Sequence, residues 1–367
     1  MEAVLSNRDF PEYGSVKLTF PIKQNQYGEC LRQLRTMEIG DAVAQDCCVD
    51  SISDTIPYLD CLTGQQVNLD ELDFLAHCVE EFWDDEPYQF EASASALGLT
   101  SIRDLINLTQ SVYNVTVIWK FSNLKDLGRT HYLHMKGGSA PSEEVDSIDP
   151  VKVMTDLIAS GQGQVTPYGV YYGNGMELLE LYKGAWFPER NDGARAMAAT
   201  LTRLAEPKTA DDYVLLHLPV PDEFLSRALI RGGLENEERI CVALHEEMGP
   251  EEIVDVIGDE HIVTLDSGFL EEINALSRTV YNLPYPSLDK LGAVIRYAEP
   301  KTICQIQRLA EHLSMFEFVP KVKTPEEYAR ILLRDIKSLV EFGELDAFFI
   351  MDPGSRTRGR KKSVNMV

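Results

Sequence analysis

SIRDLINL (101–108) lies over TICQIQRL (302–309) at an offset of 201 residues, and the reading of that pair decides the organisation of the chain. Upstream at the same offset, DELDFLAHCVEEF (70–82) lies over EEINALSRTVYNL (271–283), matching Leu75 with Leu276 and Asp70-Glu71 with Glu271-Glu272. Downstream, DLGR (126–129) lies over EYAR (327–330). Near the start, KLTFP (17–21) resembles LLHLP (215–219) at an offset of 198. An ungapped register over about sixty positions signals a tandem duplication, which settles the domain plan before any single element is read.

Periodicity and punctuation give each copy one plan. A strand over 15–21 leads to a helix over 25–36 and a strand near 42–49. Three short helices follow, at 69–83, 87–97 and 101–110, the last opening on Thr100 or Ser101 as N-cap. VTVIWKF (115–121) reads as a strand and 123–135 as a helix, and the second copy repeats the plan from about 212 to 340. Between the copies, GGSAPSEEVDSIDP (137–150) has linker composition. A helix near 151–160 and a Tyr-rich hairpin in SGQGQVTPYGVYYGNG (160–175) come next. The expectation is an α+β chain of small modules: a first copy over 1–136 (an α/β module over 1–62, a helical module over 63–111, an α/β module over 112–136), a middle segment over 137–211, a second copy over 212–350 and a basic tail over 351–367.

Charge is the second organising fact. The chain holds 59 Asp and Glu against 34 Lys and Arg, for a net charge of -25. Its last fifteen residues hold five cations and no acid, so the body is more acidic still. From Thr36 to Ile102 no Lys or Arg occurs among fifteen acids, and from Ile240 to Ser277 none occurs among ten. A solvated surface normally mixes both signs. The surface expected from these stretches comprises Asp41, Asp46, Asp50, Asp54, Asp60, Asp70, Glu71, Asp73, Glu80, Glu81, Asp84, Asp85 and Glu86 in the first copy. In the second it comprises Glu246, Glu247, Glu251, Glu252, Asp255, Asp259, Glu260, Glu271 and Glu272. Duplex DNA carries about one charge per 1.7 Å, so thirty net carboxylates match about 50 Å of duplex. Such a field disfavours direct binding to nucleic acid or to an anionic membrane and favours a basic partner.

The order of FPI (20–22), the acidic stretch, FEASASALGLTSIRDLINLT (90–109) and NLKDLGRTHYLHM (123–135) resembles the ArdA antirestriction proteins of plasmids, transposons and phages. The resemblance covers about residues 15–136. It implies elongated molecules of three small modules per copy that dimerise through the last module into a curved acidic rod. It also implies inhibition of type I restriction-modification enzymes by occupation of their DNA site. Leu127, Gly128 and Arg129 would carry the antirestriction motif, with Asp126 and Tyr132 beside them, at a dimer interface. The chain departs from the family in being about twice the usual length and in reading Tyr328, Ala329 and Arg330 at the motif of its second copy. Two copies in one chain make an intrachain pseudo-dimer an alternative to a homodimer.

No catalytic, cofactor or metal site is expected. His131 and His134 stand three apart without a third ligand at a recognisable spacing. GQG (161–163) lacks the context of a nucleotide-binding loop, and no nucleophile elbow occurs. Seven cysteines without CxxC or CxH spacing read as reduced, small apolar residues, and with no signal peptide or long apolar run the expected location is the cytoplasm. Two competing functions keep the acids in other roles: an acidic module that inhibits another basic host-defence protein, and a hydrolase with an acidic metal site.

Overall fold

The computed structural model describes residues 1–188, 195–204 and 213–319. The fold is α+β, in two compact units. The first comprises Met1–Arg190 with Ser226–Arg231, and the second Asn191–Leu225 with the chain from Gly232 onward.

The first unit opens with an antiparallel sheet of β1 (Glu2–Ser6), β2 (Ser15–Thr19), β3 (Cys47–Ser53) and β4 (Gln66–Val67), in the order β2-β1-β3-β4. In β1, alternation sends Ala3 and Leu5 into the core, the period-2 pattern of a strand with one buried face. The helix α1 (Tyr27–Thr36) buries Tyr27, Leu31 and Leu34, spaced so that they fall on one face. Three helices follow: α2 (Leu69–Glu80), α3 (Glu86–Leu97) and α4 (Ile102–Thr109). The cap of α2 is Asn68, whose side chain accepts from the Asp70 and Glu71 backbone while Glu71 reaches back to the Asn68 N–H, a complete capping box. The end of α3 is Gly98 at φ +67°, the left-handed stop that favours glycine. Ser101 caps α4 by accepting from the Asp104 backbone N–H.

A third module follows within the same unit. It contains β5 (Thr116–Ile118), α5 (Leu124–Met135), α6 (Ser142–Ser147), α7 (Pro150–Ala159), β6 (Gln164–Thr166) and β7 (Gly169–Tyr172), with the sheet order β5-β7-β6. Residues 137–150 are therefore not a linker, and 137–211 is not a separate middle segment. The hairpin β6–β7 completes the sheet that β5 begins, and Leu127, Met154, Ile118 and Tyr172 share one core. Three residues of β5 cannot close a core alone, which is why a boundary at 136 fails.

Over its described residues the second unit repeats the sheet and the three following helices of the first. Its sheet contains β8 (Met197–Arg203), β9 (Tyr213–Leu218), β10 (Ile240–Glu246) and β11 (Glu260–Val263), in the order β9-β8-β10-β11, the same path as β2-β1-β3-β4. The helix α8 (Asp222–Arg231) follows β9 as α1 follows β2, and its last six residues are counted with the first unit. After α9 (Glu251–Ile257) come α10 (Phe269–Tyr281), α11 (Pro286–Ala298) and α12 (Ile303–Glu311), which start 200, 200 and 201 residues after α2, α3 and α4. Thr302 caps α12 as Ser101 caps α4. The peptide bonds Phe20–Pro21 and Leu218–Pro219, 198 residues apart, are both cis. One residue further on, the Ile22 N–H donates to Asp73 Oδ1 at 2.6 Å, and the Val220 N–H donates to Asn274 Oδ1 at 2.9 Å. Since β8 answers to β1, the second copy begins near residue 197, not 212. Both opening strands escape a reading that starts each copy at its second strand. The counterpart of the LGR motif at Tyr328, Ala329 and Arg330 and the basic tail lie outside the described residues.

Gly128 sits where α5 meets α7: a Cβ there would lie 2.0 Å from the Pro150 carbonyl oxygen, a contact no side chain can occupy. Gly128→Ala is expected to lower the stability of the first unit by about 1–3 kcal/mol, the range for overpacking. Urea denaturation of the full chain checks this, and a loss below 0.5 kcal/mol, roughly the level of an inert surface change, would refute the close packing.

Candidate acidic interface

The expected acids separate into three environments. Asp41, Asp50, Asp60, Glu80, Glu81 and Asp84 are exposed in the first unit, as are Glu246, Glu251, Asp255, Asp259, Glu260, Glu271 and Glu272 in the second. Asp46, Asp54, Asp85, Glu86 and Glu247 are half-buried. Asp70, Glu71, Asp73 and Glu252 are buried, and their assignment to the surface is corrected here. Of the fifteen acids between Thr36 and Ile102, ten keep a carboxylate open to solvent, because Glu91 is also buried and the Asp54 carboxylate is covered by the Met1 amine at 3.3 Å.

Several accessible carboxylates are held by local groups. Asp41 Oδ1 accepts from the Val43 and Ala44 backbone N–H at 2.8 Å each, and those bonds, the Ala44 one foremost, hold its carboxyl below the usual range. Asp46 accepts from the Asp41 N–H, Asp54 from the Ile56 N–H, and Glu86 from the Trp83 N–H. Asp85 accepts from the Trp119 indole at 3.0 Å, and Asp50 from the Ser6 hydroxyl at 2.8 Å. Among the described residues, the carboxylates of Glu38, Asp41, Asp50, Asp60, Glu80 and Asp84 form no ion pair with a lysine or arginine. Within this stretch Trp83 is 77% exposed, so an aromatic ring stands free between Glu81 and Asp84.

The buried acids do structural work. Asp70 accepts the Tyr27 hydroxyl at 2.5 Å, the Arg227 Nε at 2.9 Å and, more loosely, Arg231 at 3.4 Å. The remaining Arg227 donors reach the Gly40 and Asp41 carbonyl oxygens at 2.6 and 2.9 Å. Burial works against the Arg227 charge, but the Asp70 carboxylate and Tyr27 outweigh it, so the guanidinium pKa stands above its ordinary value. Glu71 accepts the Tyr182 hydroxyl at 2.7 Å, and Arg231 donates to that same hydroxyl and to Asn68 Oδ1. The Tyr182 backbone exchanges hydrogen bonds with the Asn107 side chain at 2.7 and 3.0 Å, which seats this irregular stretch on α4. Arg227, Arg231, Tyr182 and Asn107 escaped the sequence reading because only tertiary contact brings them to α2. Asn68 carried a legible signal: Asn with Glu three residues on, before an apolar run, is a capping box.

Glu91 and Glu252 show how the copies diverge. Glu91 accepts the Tyr58 N–H at 3.1 Å, and burial raises its carboxyl pKa. The second copy has Gly292 at the position 201 residues on, where a Cβ would lie 2.4 Å from a Glu252 carboxylate oxygen, and Glu252 pairs with Arg296.

The motif residues also divide. Leu127 and Gly128 are interior to the third module, Asp126 and Arg129 are exposed, and Tyr132 donates to Glu144 at 2.5 Å. Two members of the expected motif are thus packed inside the module, leaving only Asp126 and Arg129 fully open to a partner. The His131 Nδ1 lies 2.9 Å from the Thr116 hydroxyl, and burial lowers the pKa of both His131 and His134. Among the described residues no cluster of three or more His, Cys, Asp or Glu is placed to hold a metal, and no helix is long and apolar enough to cross a membrane.

Removing Arg227 leaves the Asp70 charge with the Tyr27 hydroxyl and the looser Arg231 contact alone. Arg227→Met is expected to destabilise the first unit by about 3–5 kcal/mol, the range for breaking a buried pair, with part of the loss restored in the Asp70→Asn/Arg227→Met double variant. Urea denaturation reads both. For Glu91 the sign is opposite to that of a stabilising carboxylate. Its folded pKa is raised, so its ionised form disfavours the fold at neutral pH and stability rises as pH falls through the folded value. Glu91→Gln should therefore be more stable than the parent at pH 7 and lose that advantage as the pH approaches the ordinary carboxylate range. An equal or greater advantage at low pH would contradict the assignment.

Compared with family models, with curated proteins and with solved structures, the chain gives no match.

Proposed function

We propose that the protein is an antirestriction factor, an acidic DNA mimic that occupies the DNA-binding channel of type I restriction-modification enzymes in the cytoplasm. The observation that carries this reading is the stretch of residues 36–102 without lysine or arginine, ten of whose fifteen acids keep a carboxylate open to solvent, several fixed by neighbouring N–H groups. Each unit contributes such a field: between Ile240 and Ser277 only Glu252 of the ten acids is buried. A channel built to neutralise phosphates attracts carboxylates through the same long-range field, and salt screens that attraction. The resemblance of residues 15–136 to the ArdA family supports the choice of target, as does the sequence of an α/β module, a helical module and a motif-bearing third module. In this role the chain performs no chemistry, needs no cofactor and does not itself bind nucleic acid. Two fields in one chain suit either a pseudo-dimer or a homodimer on a two-fold target.

The test is displacement of labelled duplex DNA from a type I restriction enzyme across a salt series. Displacement should weaken by about tenfold or more between 50 and 200 mM salt, as expected for several charge contacts. Neutralising Asp41, Asp50, Asp60, Glu80 and Asp84 together should weaken it at every salt concentration and flatten the slope. No displacement at low salt would reject this target, and a salt-independent affinity would reject mimicry itself.

A further inference from the structure

The two most exposed aromatic rings among the described residues stand on the same turn of the two copies. Trp83 is 77% exposed between α2 and α3, and Tyr285 is 76% exposed between α10 and α11. The turns correspond bond for bond. The Glu86 N–H donates to the Trp83 carbonyl oxygen at 2.8 Å, and 201 residues on the Ser287 N–H donates to the Pro284 carbonyl oxygen at 2.7 Å. The ring has moved by one residue between the copies while keeping its exposure. Different means stiffen each turn: the Glu86 carboxylate accepts back from the Trp83 N–H at 2.8 Å, whereas Pro284 and Pro286 flank Tyr285 and fix their own φ. Phe82 and Tyr88, on either side of the first turn, pack on Phe90 and Trp119, and among the described residues the Trp83 ring stacks on none. A single exposed ring is ordinary. A ring kept outward on the same turn in both copies, by different residues and different stiffening, points to a contact.

We propose that Trp83 is the aromatic contact of the first unit and takes an arginine side chain of the basic partner, an inference that rests on reading the acidic field as the face shown to such a partner. The surroundings of the ring choose the occupant. Glu80 and Asp84 are exposed beside it and form no ion pair with a lysine or arginine. Asp84 stands at φ +33°, a conformation glycine would adopt at less cost, and the chain nonetheless carries a carboxylate there. An apolar segment laid on Trp83 would strip water from these charges and return nothing. A guanidinium lies flat on the indole and donates to the carboxylates at the same time. Duplex DNA has no ring projecting from its phosphates, so this contact adds to what the carboxylates imitate. Salt screens a stacked, partly buried contact less than it screens separated charges, and the Trp83 contribution is therefore the part of the affinity that survives at high salt.

In the full-length protein labelled with 5-fluorotryptophan, the fluorine resonances come from Trp83, Trp119 and Trp186, and the one missing in Trp83→Phe belongs to Trp83. Titration with acetyl-triarginine amide should shift that resonance saturably and leave the Trp119 resonance in place, with about threefold or more weaker binding of acetyl-trilysine amide. A Trp83 resonance that does not move, or that responds equally to the two peptides, would overturn the proposal. The second readout is displacement of labelled duplex DNA from a type I restriction enzyme. Trp83→Ala should need about threefold to tenfold more protein at every salt concentration with the salt slope unchanged, because it removes a ring and no charge. Equal displacement by Trp83→Ala and the parent would overturn the proposal as well. Both hydrogen bonds of the turn use the Trp83 backbone, so neither substitution removes them. If the parent displaces no DNA, the restriction-enzyme reading fails by itself, and the peptide titration, which contains no enzyme, still decides the ring contact.

Discussion

A carboxylate removed from water costs several kcal/mol unless opposite charge and hydrogen bonds replace the lost solvation. Asp70 is 3% exposed, and its position is made tenable by Tyr27, Arg227 and Arg231. From that carboxylate the constraints run outward in the first unit. Arg227 fixes the Gly40 and Asp41 carbonyl oxygens, and Asn68 Nδ2 reaches the Asp41 and Ala44 carbonyl oxygens at 3.0 Å each, so the loop before β3 is tied to the start of α2. That loop carries Asp41 and Asp46, two members of the accessible acidic field. The geometry of the outer carboxylates therefore descends from the solvation requirement of an inner one.

Duplication makes it possible to watch the same positions take different roles. Asp73 and Asn274 perform one task, receiving the backbone N–H of the residue after a cis proline, and the amide adds a second bond to the Val220 carbonyl oxygen that a carboxylate cannot donate. Asp70-Glu71 and Glu271-Glu272 share a place in the helix but not an environment, since the first pair is buried and the second exposed. Glu91 and Glu252 place buried carboxylates about one contact from opposite sides, with Gly292 opening the space for the latter.

The helical modules were legible because their caps and periods are local. Ser101 and Asp104, Thr302 and Gln305, and the apolar spacing of α2 announce helices without help from the rest of the chain. The third module was cut short because its sheet joins Thr116–Ile118 to a hairpin about fifty residues later, a pairing that no local period records. Which acids face solvent was equally hidden. Asp70, Glu71 and Asp73 sit in a run whose charges look like a solvated face, and only the positions of Arg227, Tyr182 and the Ile22 N–H turn them inward. Charge density could be counted from the sequence; the partition between outer and inner carboxylates required tertiary contacts.

Asp41 and Glu86 accept from N–H groups within three residues of themselves. Side chains held in this way have already surrendered rotational freedom on folding, so a partner that meets them orders little that was not ordered before. In any complex that such side chains formed through many weak charge contacts, the sum would be less eroded by entropy than the same number of long, freely rotating glutamates would allow.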